Sequence, residues 1–145
     1  MKQRILILCT GNSARSQMGE GLLRELGGTH YDVYSAGTAP TTIHPLAITV
    51  MNERGIDIRH QRSKSVQEFL TESFAYVMTV CDQAAETCPV FPGYAERIHW
   101  SFPDPATVTG TLGERTLAFR HVRDALERQL RAWLIAQGNP APDEG

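Results

Sequence analysis

Arg4-Ile5-Leu6-Ile7-Leu8-Cys9-Thr10-Gly11-Asn12-Ser13-Ala14-Arg15-Ser16 is the stretch that decides the fold. The apolar run Ile5–Leu8 lacks alternation, as in a strand buried on both faces. Gly11-Asn12-Ser13 breaks the run. Ser16–Leu26 then places Met18, Leu22, Leu23 and Leu26 on one side of a helix. A strand, a tight loop and a helix in succession form the opening unit of a parallel α/β sheet.

The pattern continues outward from this unit. Gly27-Gly28 ends the helix, and Asp32–Ser35 predicts a second strand followed by the turn-rich stretch Ala36–Thr42. Pro45 opens a helix to about Arg54, closed by Gly55. Ser65–Leu70 predicts a shorter helix, with Ser65 as N-cap and Glu68 at the capping-box position. Phe74–Val80 and Arg97–Trp100 predict two further strands, and Glu114–Gln137 a long closing helix. Alternating strands and helices imply a parallel sheet with helices on both faces. Without repeats or linkers, residues 1–138 are expected to form a single domain, with 139–145 a flexible tail.

Ligands of such sheets sit at the carboxyl ends of the strands, near the point where strand order reverses. Cys9 ends the first predicted strand, Cys81 follows the third, and Asp104 lies shortly after the fourth. All three are therefore expected at one edge of the sheet.

Composition narrows the possible partners. The 145-residue chain carries a formal net charge of −2, which gives no reason to expect nucleic acid. An anion must then be gripped locally rather than by a general field. Lys2 and Arg4 precede only a four-residue apolar run, so the start reads as a strand and not as a signal peptide. No stretch approaches the roughly 18 apolar residues of a membrane span. A cytosolic monomer is expected, in a compartment where thiols stay reduced. Three cysteines, an odd number, fit transient chemistry better than a structural disulfide framework.

Cys9 to Arg15 has the Cys-x5-Arg spacing between a strand and a helix. The backbone N–H groups of Thr10, Gly11, Asn12, Ser13, Ala14, Arg15 and Ser16 can wrap one tetrahedral oxyanion at the helix start. Gly11 permits a turn that a side chain would resist. Arg15 can bind two oxygens as a fork. These positive surroundings favour the thiolate of Cys9, the form that attacks. Ser16 is placed to donate to that sulfur, and Asn12 to brace the loop.

Cys9–Met18, Tyr34-Ser35-Ala36-Gly37, Cys81–Pro89 and His99–Ala106, in this order and spacing, resemble the thioredoxin-coupled arsenate reductases. These share their fold with the low-molecular-weight protein tyrosine phosphatases. The resemblance implies a four-stranded parallel sheet and reduction of arsenate to arsenite, a detoxification of arsenic. Phosphate or sulfate would also fit the loop. In the implied relay Cys9 attacks arsenate while Asp104 protonates the leaving oxygen, and Cys81 then attacks Cys9. Cys88 next attacks Cys81, leaving a redox-active Cys81–Cys88 disulfide for thioredoxin to reduce. No metal, flavin or haem is required, and the five histidines lack ligand spacing.

Six residues separate Cys81 from Cys88. If they are helical, the two Cα atoms lie about 10 Å apart. A disulfide needs roughly 4.4–6.8 Å, so the relay must unwind this segment.

The chain departs from the family pattern at two places. Ala14 stands where a second loop cysteine is common, and Lys64 where an acidic residue helps Asn12, Glu20 and Ser35 to hold potassium. The Lys64 ammonium is expected to replace that ion. A phosphatase is the alternative, using Cys9, Arg15 and Asp104 but neither distal cysteine. Thr10, Gln17 and Ala106-Thr107 stand where phosphotyrosine enzymes carry an apolar residue, proline and tyrosines, so only a weak phosphatase side activity is expected. A phosphocarrier would use Cys9 alone and leave the other groups without roles.

Overall fold

The computed structural model describes residues 2–142. Its sheet has four parallel strands, β1 (Gln3–Cys9), β2 (Tyr31–Gly37), β3 (Tyr76–Thr79) and β4 (Glu96–His99), in the order β2-β1-β3-β4. The central β1 buries Ile5, Leu6, Ile7 and Leu8 almost completely. Each such side chain contributes on the order of 1.5–3 kcal/mol by leaving water, so this strand anchors the core.

Four helices connect and cover the strands: α1 (Arg15–Gly27), α2 (Pro45–Asn52), α3 (Asp82–Glu86) and α4 (Leu112–Ala136). From β1 the chain steps to β2 on one side, whereas from β3 it steps to β4 on the other. Right-handed crossovers therefore put α1 and α3 on opposite faces. Helix α4 packs against α1 and α2, and Thr111 with Glu114 forms the reciprocal capping box that starts it. Among the described residues no helix is long and apolar enough to cross a membrane.

The segment expected as a helix over Ser65–Leu70 is a 3₁₀ turn, Val66–Phe69. Ser65 caps it, accepting from Gln67 N–H, but Glu68 does not complete a capping box. Its carboxylate is held instead by both guanidinium nitrogens of Arg62. One turn buries Val66 and Phe69, and Ser65 bridges to Gly37 at the sheet end, which leaves no length for a regular helix. The start of the expected tail is tied down, since Asn139 donates to the Tyr31 hydroxyl at 2.9 Å. Residues 143–145 lie outside the described residues.

β1 lies between β2 and β3, so strand order reverses beside it. Register sets Cys9 opposite Gly37, and Thr79 opposite His99. The carboxyl ends of all four strands thus open on one edge.

Candidate active site

The loop after β1 is shaped by where its carbonyls go. Those of Cys9, Thr10, Gly11 and Ser13 accept from the N–H groups of Thr38, Ala39, Thr41 and His44 at 2.9–3.2 Å. In a trans peptide the N–H points opposite the C=O, so pulling these carbonyls outward turns the amides that follow inward. Helix α1 begins behind the loop with Ala14 as N-cap and no side-chain cap. The N–H groups of its first turn therefore lack a side-chain acceptor, and they complete the cradle for an anion.

Asn12 holds this shape. It is fully buried with φ 47°, in the left-handed region where asparagine is tolerated best among residues with a side chain. Its Nδ2 donates to Ser16 Oγ at 2.7 Å and Ser35 Oγ at 3.0 Å. Its Oδ1 accepts from the Lys64 backbone at 2.8 Å and from Gln17 Nε2 at 2.9 Å. Gln17, also fully buried, donates on to the Arg62 carbonyl and accepts from Gln61 Nε2. Among the described residues no buried side-chain nitrogen or oxygen is left without a partner.

Cys9 is buried at the base of the loop, its Sγ 2.7 Å from Ser16 Oγ. Arg15 spans the opening, where Nη1 donates to the Phe102 carbonyl at 3.1 Å and Nη2 stands 3.7 Å from Asp104 Oδ2. Asp104 caps the 3₁₀ turn Pro105–Thr107 through Oδ1, which accepts from Ala106 N–H at 3.0 Å. Its other oxygen is left toward Arg15. Cys9, Thr10, Arg15 and Asp104 line one cavity of about 300 Å³. Ala39, Thr41 and Ala106 form its outer wall, and no aromatic ring is among the lining residues.

Cys81 follows β3 as the N-cap of α3, buried, with its Sγ 3.4 Å from Thr10 Oγ1. Cys88 lies two residues beyond the end of α3, half-buried beside Val77, Ala85 and Ile98. Burial pushes its thiol pKa up, and the nearby Arg97 charge opposes this in part. All three cysteines are free thiols. The loop, Asp104 and Cys81 thus share one edge, as the strand order required, while Cys88 stands at the far end of α3.

The predicted cation-like cluster is also assembled. Glu20, 4% exposed, accepts from Ser35 Oγ at 2.5 Å and stands 3.5 Å from Lys64 Nζ. Lys64 also donates to the Arg62 carbonyl at 3.0 Å. Burial pulls the Lys64 pKa down, opposed by the Glu20 charge and hydrogen bond. Arg24, one turn along α1, holds the other Glu20 oxygen at 2.9 Å.

Sequence reasoning gave Gln61 and Arg24 no role, and it named Gln17 and Gly37 without seeing that they shape the loop. A Cβ on Gly37 would come within 2.5 Å of the Thr10 carbonyl and 2.9 Å of Asn12 N, so glycine is required where β2 touches the loop.

The profile of the family described as low molecular weight phosphotyrosine protein phosphatase matches residues 4–139. An arsenate reductase of Halalkalibacterium halodurans is 42% identical over 132 residues, covering 91% of this chain and 95% of its own. One from Bacillus subtilis is 41% identical over 127 residues, covering 88% and 91%. A solved arsenate reductase in a phosphate-binding state superposes with TM-score 0.79 at 31% identity, covering 94% of this chain and 98% of that one.

Proposed function

The chain belongs to the low-molecular-weight phosphotyrosine protein phosphatase family and, within it, to the arsenate reductases; on that premise we propose that it reduces arsenate to arsenite through Cys9, Cys81 and Cys88, with thioredoxin restoring the thiols. The observation that carries the three-thiol relay is the placement of Cys81. Its sulfur lies against the hydroxyl of Thr10, the residue next to Cys9. A hydrolase using the same loop has no need of a thiol there.

Arsenate sits in the loop with its oxygens on the inward amides and the Arg15 fork. The Cys9 thiolate attacks arsenic, and the departing oxygen takes its proton from Asp104 as general acid. Cys81 then attacks Cys9 Sγ. The new S–S bond forms as the S–As bond breaks, its electron pair staying on arsenic, so As(V) leaves as As(III). Cys88 attacks Cys81 Sγ and frees Cys9 as thiolate. Two electrons have passed to arsenic and one Cys81–Cys88 disulfide remains for thioredoxin.

Lys64 takes the place of a resident cation in this reading. Its ammonium stands against Glu20, the carboxylate to which Ser35 also donates, where the resemblance implies potassium. The walls of the cavity, Ala39, Thr41 and Ala106, supply no ring to stack on phosphotyrosine. Phosphatase turnover would therefore be a weak side reaction of the shared loop.

The test is arsenate-dependent oxidation of thioredoxin by wild type, Cys81→Ser and Cys88→Ser. Both variants should lose turnover, and Cys88→Ser should still reduce one equivalent of arsenate and accumulate the Cys9–Cys81 disulfide. Phosphatase turnover unchanged in both variants, with no arsenate reaction in wild type, would overturn the reductase.

A further inference from the structure

The segment between the two distal cysteines is fastened to the edge strand at both ends. At its start, His99 Nε2 donates to Asp82 Oδ1 at 2.9 Å, while the His99 Nδ1 meets Thr79 Oγ1 at 2.8 Å. At its end, Arg97 Nη2 donates to the Pro89 carbonyl at 2.6 Å. Arg97 and His99 are two residues apart on β4, so both side chains leave the same face of the sheet. Between the anchors lies a cavity of about 160 Å³ that Cys88 helps to line.

One further side-chain contact reaches this segment, from Thr10 Oγ1, which donates to Gln83 Oε1 at 3.2 Å. Of the residues of α3 only Ala84 is buried. The helix has five residues, far below the 12–15 or so at which an isolated helix becomes even marginally stable in water. Its persistence therefore depends on its attachments, and the two from β4 reach opposite ends.

We propose that Arg97 and His99 form a two-point clamp on residues 82–89, holding Cys88 away from Cys81 and setting the balance between the thiol pair and its disulfide. The proposal rests on the relay reading above. In the step concerned, Cys88 thiolate attacks Cys81 Sγ of a Cys9–Cys81 disulfide. The 81–88 bond forms, the 9–81 bond breaks, and Cys9 leaves as thiolate with no net change in electrons. A disulfide brings its two Cα atoms to about 5.5 Å, so the segment between the cysteines must rearrange. The clamp requires that at least one anchor opens in that rearrangement. Contacts made only in the thiol form stabilise that form, so removing them shifts the equilibrium toward the disulfide. Arg97 and His99 act here as positioning residues, since their hydrogen bonds go to Pro89 and Asp82 and not to a cysteine sulfur.

The full-length chain carrying Cys9→Ser, so that Cys81 and Cys88 are the remaining pair, is equilibrated in mixtures of reduced and oxidised dithiothreitol. Disulfide is counted by mass spectrometry after alkylation. Arg97→Ala and His99→Ala should each raise the disulfide equilibrium constant about three- to fivefold, the range of an exposed hydrogen bond or ion pair. Arg97→Lys keeps a donor for Pro89 and should stay within about twofold of the parent, the rescue that identifies a hydrogen-bonding role. Asp82→Ala combined with His99→Ala should add nothing beyond either single change, because the two act as one contact. In the chain with Cys9 intact, the arsenate KM should not move. A disulfide that forms in the parent but is unshifted, or disfavoured, in the alanine variants overturns the clamp alone. A parent that forms no Cys81–Cys88 disulfide overturns the relay beneath it.

Discussion

The side-chain oxygen of Asn12 accepts the backbone N–H of Lys64 at 2.8 Å, which ties the loop around Cys9 to a segment 52 residues further on. Because Asn12 also serves Ser16, Ser35 and Gln17 from a fully buried position, its loss leaves several polar groups unpaired at once. Asn12→Ala is expected to destabilise the fold by about 2–4 kcal/mol in urea denaturation. Asn12→Gly should cost less, because glycine adopts the required φ without strain.

Gly37 tests the same loop from outside. A methyl group there would meet the Thr10 carbonyl and the Asn12 amide nitrogen, both backbone atoms. The loop must yield, at a cost on the order of 1–3 kcal/mol. Gly37→Ala should weaken phosphate binding about tenfold or more, since about 1.4 kcal/mol is a factor of ten. Isothermal titration of phosphate into the variant checks this, and its far-ultraviolet circular dichroism should match wild type.

The proposed role of Lys64 as a stand-in for a cation has a consequence in salt solutions. Wild-type turnover should be the same in potassium and in tetramethylammonium. Lys64→Met leaves Glu20 with Ser35 and Arg24 as partners. It should lose activity several-fold in tetramethylammonium and recover it in potassium. A strong potassium requirement in wild type would contradict this role.

Glu53 links stability to pH. It is held first by Arg120 and then by Arg123 of α4, which bring its pKa down to about 2 from an ordinary 4.5. A lowered carboxylate pKa stabilises the fold above the unfolded value and loses that contribution as pH falls through the folded one. Stability should therefore decline between about pH 4.5 and pH 2. Glu53→Gln should flatten that decline, by no more than about 1 kcal/mol because exposed charges are screened. Chemical denaturation at stepped pH gives the comparison.

The fold and half of the site were legible because they are local. Ile5–Leu8 is an unbroken apolar run, and Cys-x5-Arg lies within one strand–loop–helix unit, so chain order alone brings Cys9, Ser16 and Arg15 together. Ser65 and Glu68 show the limit. Their spacing matches a capping box, but Arg62 outbids the backbone for the Glu68 carboxylate, a competition that spacing does not reveal. The clasp of Gln17 by Arg62 and Gln61 was illegible for a related reason. It joins residues 44 and 45 positions apart, and the Arg62 contact uses a backbone carbonyl, which any residue type can supply. Lys64 against Glu20 could be anticipated only through the resemblance, since nothing in its own neighbourhood marks it as buried.

The two halves of the site differ in how deeply they are set. Asn12, Gln17 and Ser16 are sealed in the core behind the loop, whereas α3 rests on side chains at the water boundary, with Asp82 74% exposed. Opening α3 sacrifices little buried surface, so its amides should exchange with solvent deuterium far below the free energy of global unfolding. On warming, the stretch that joins Cys81 to Cys88 should therefore loosen first, while the cradle behind Cys9 keeps its shape.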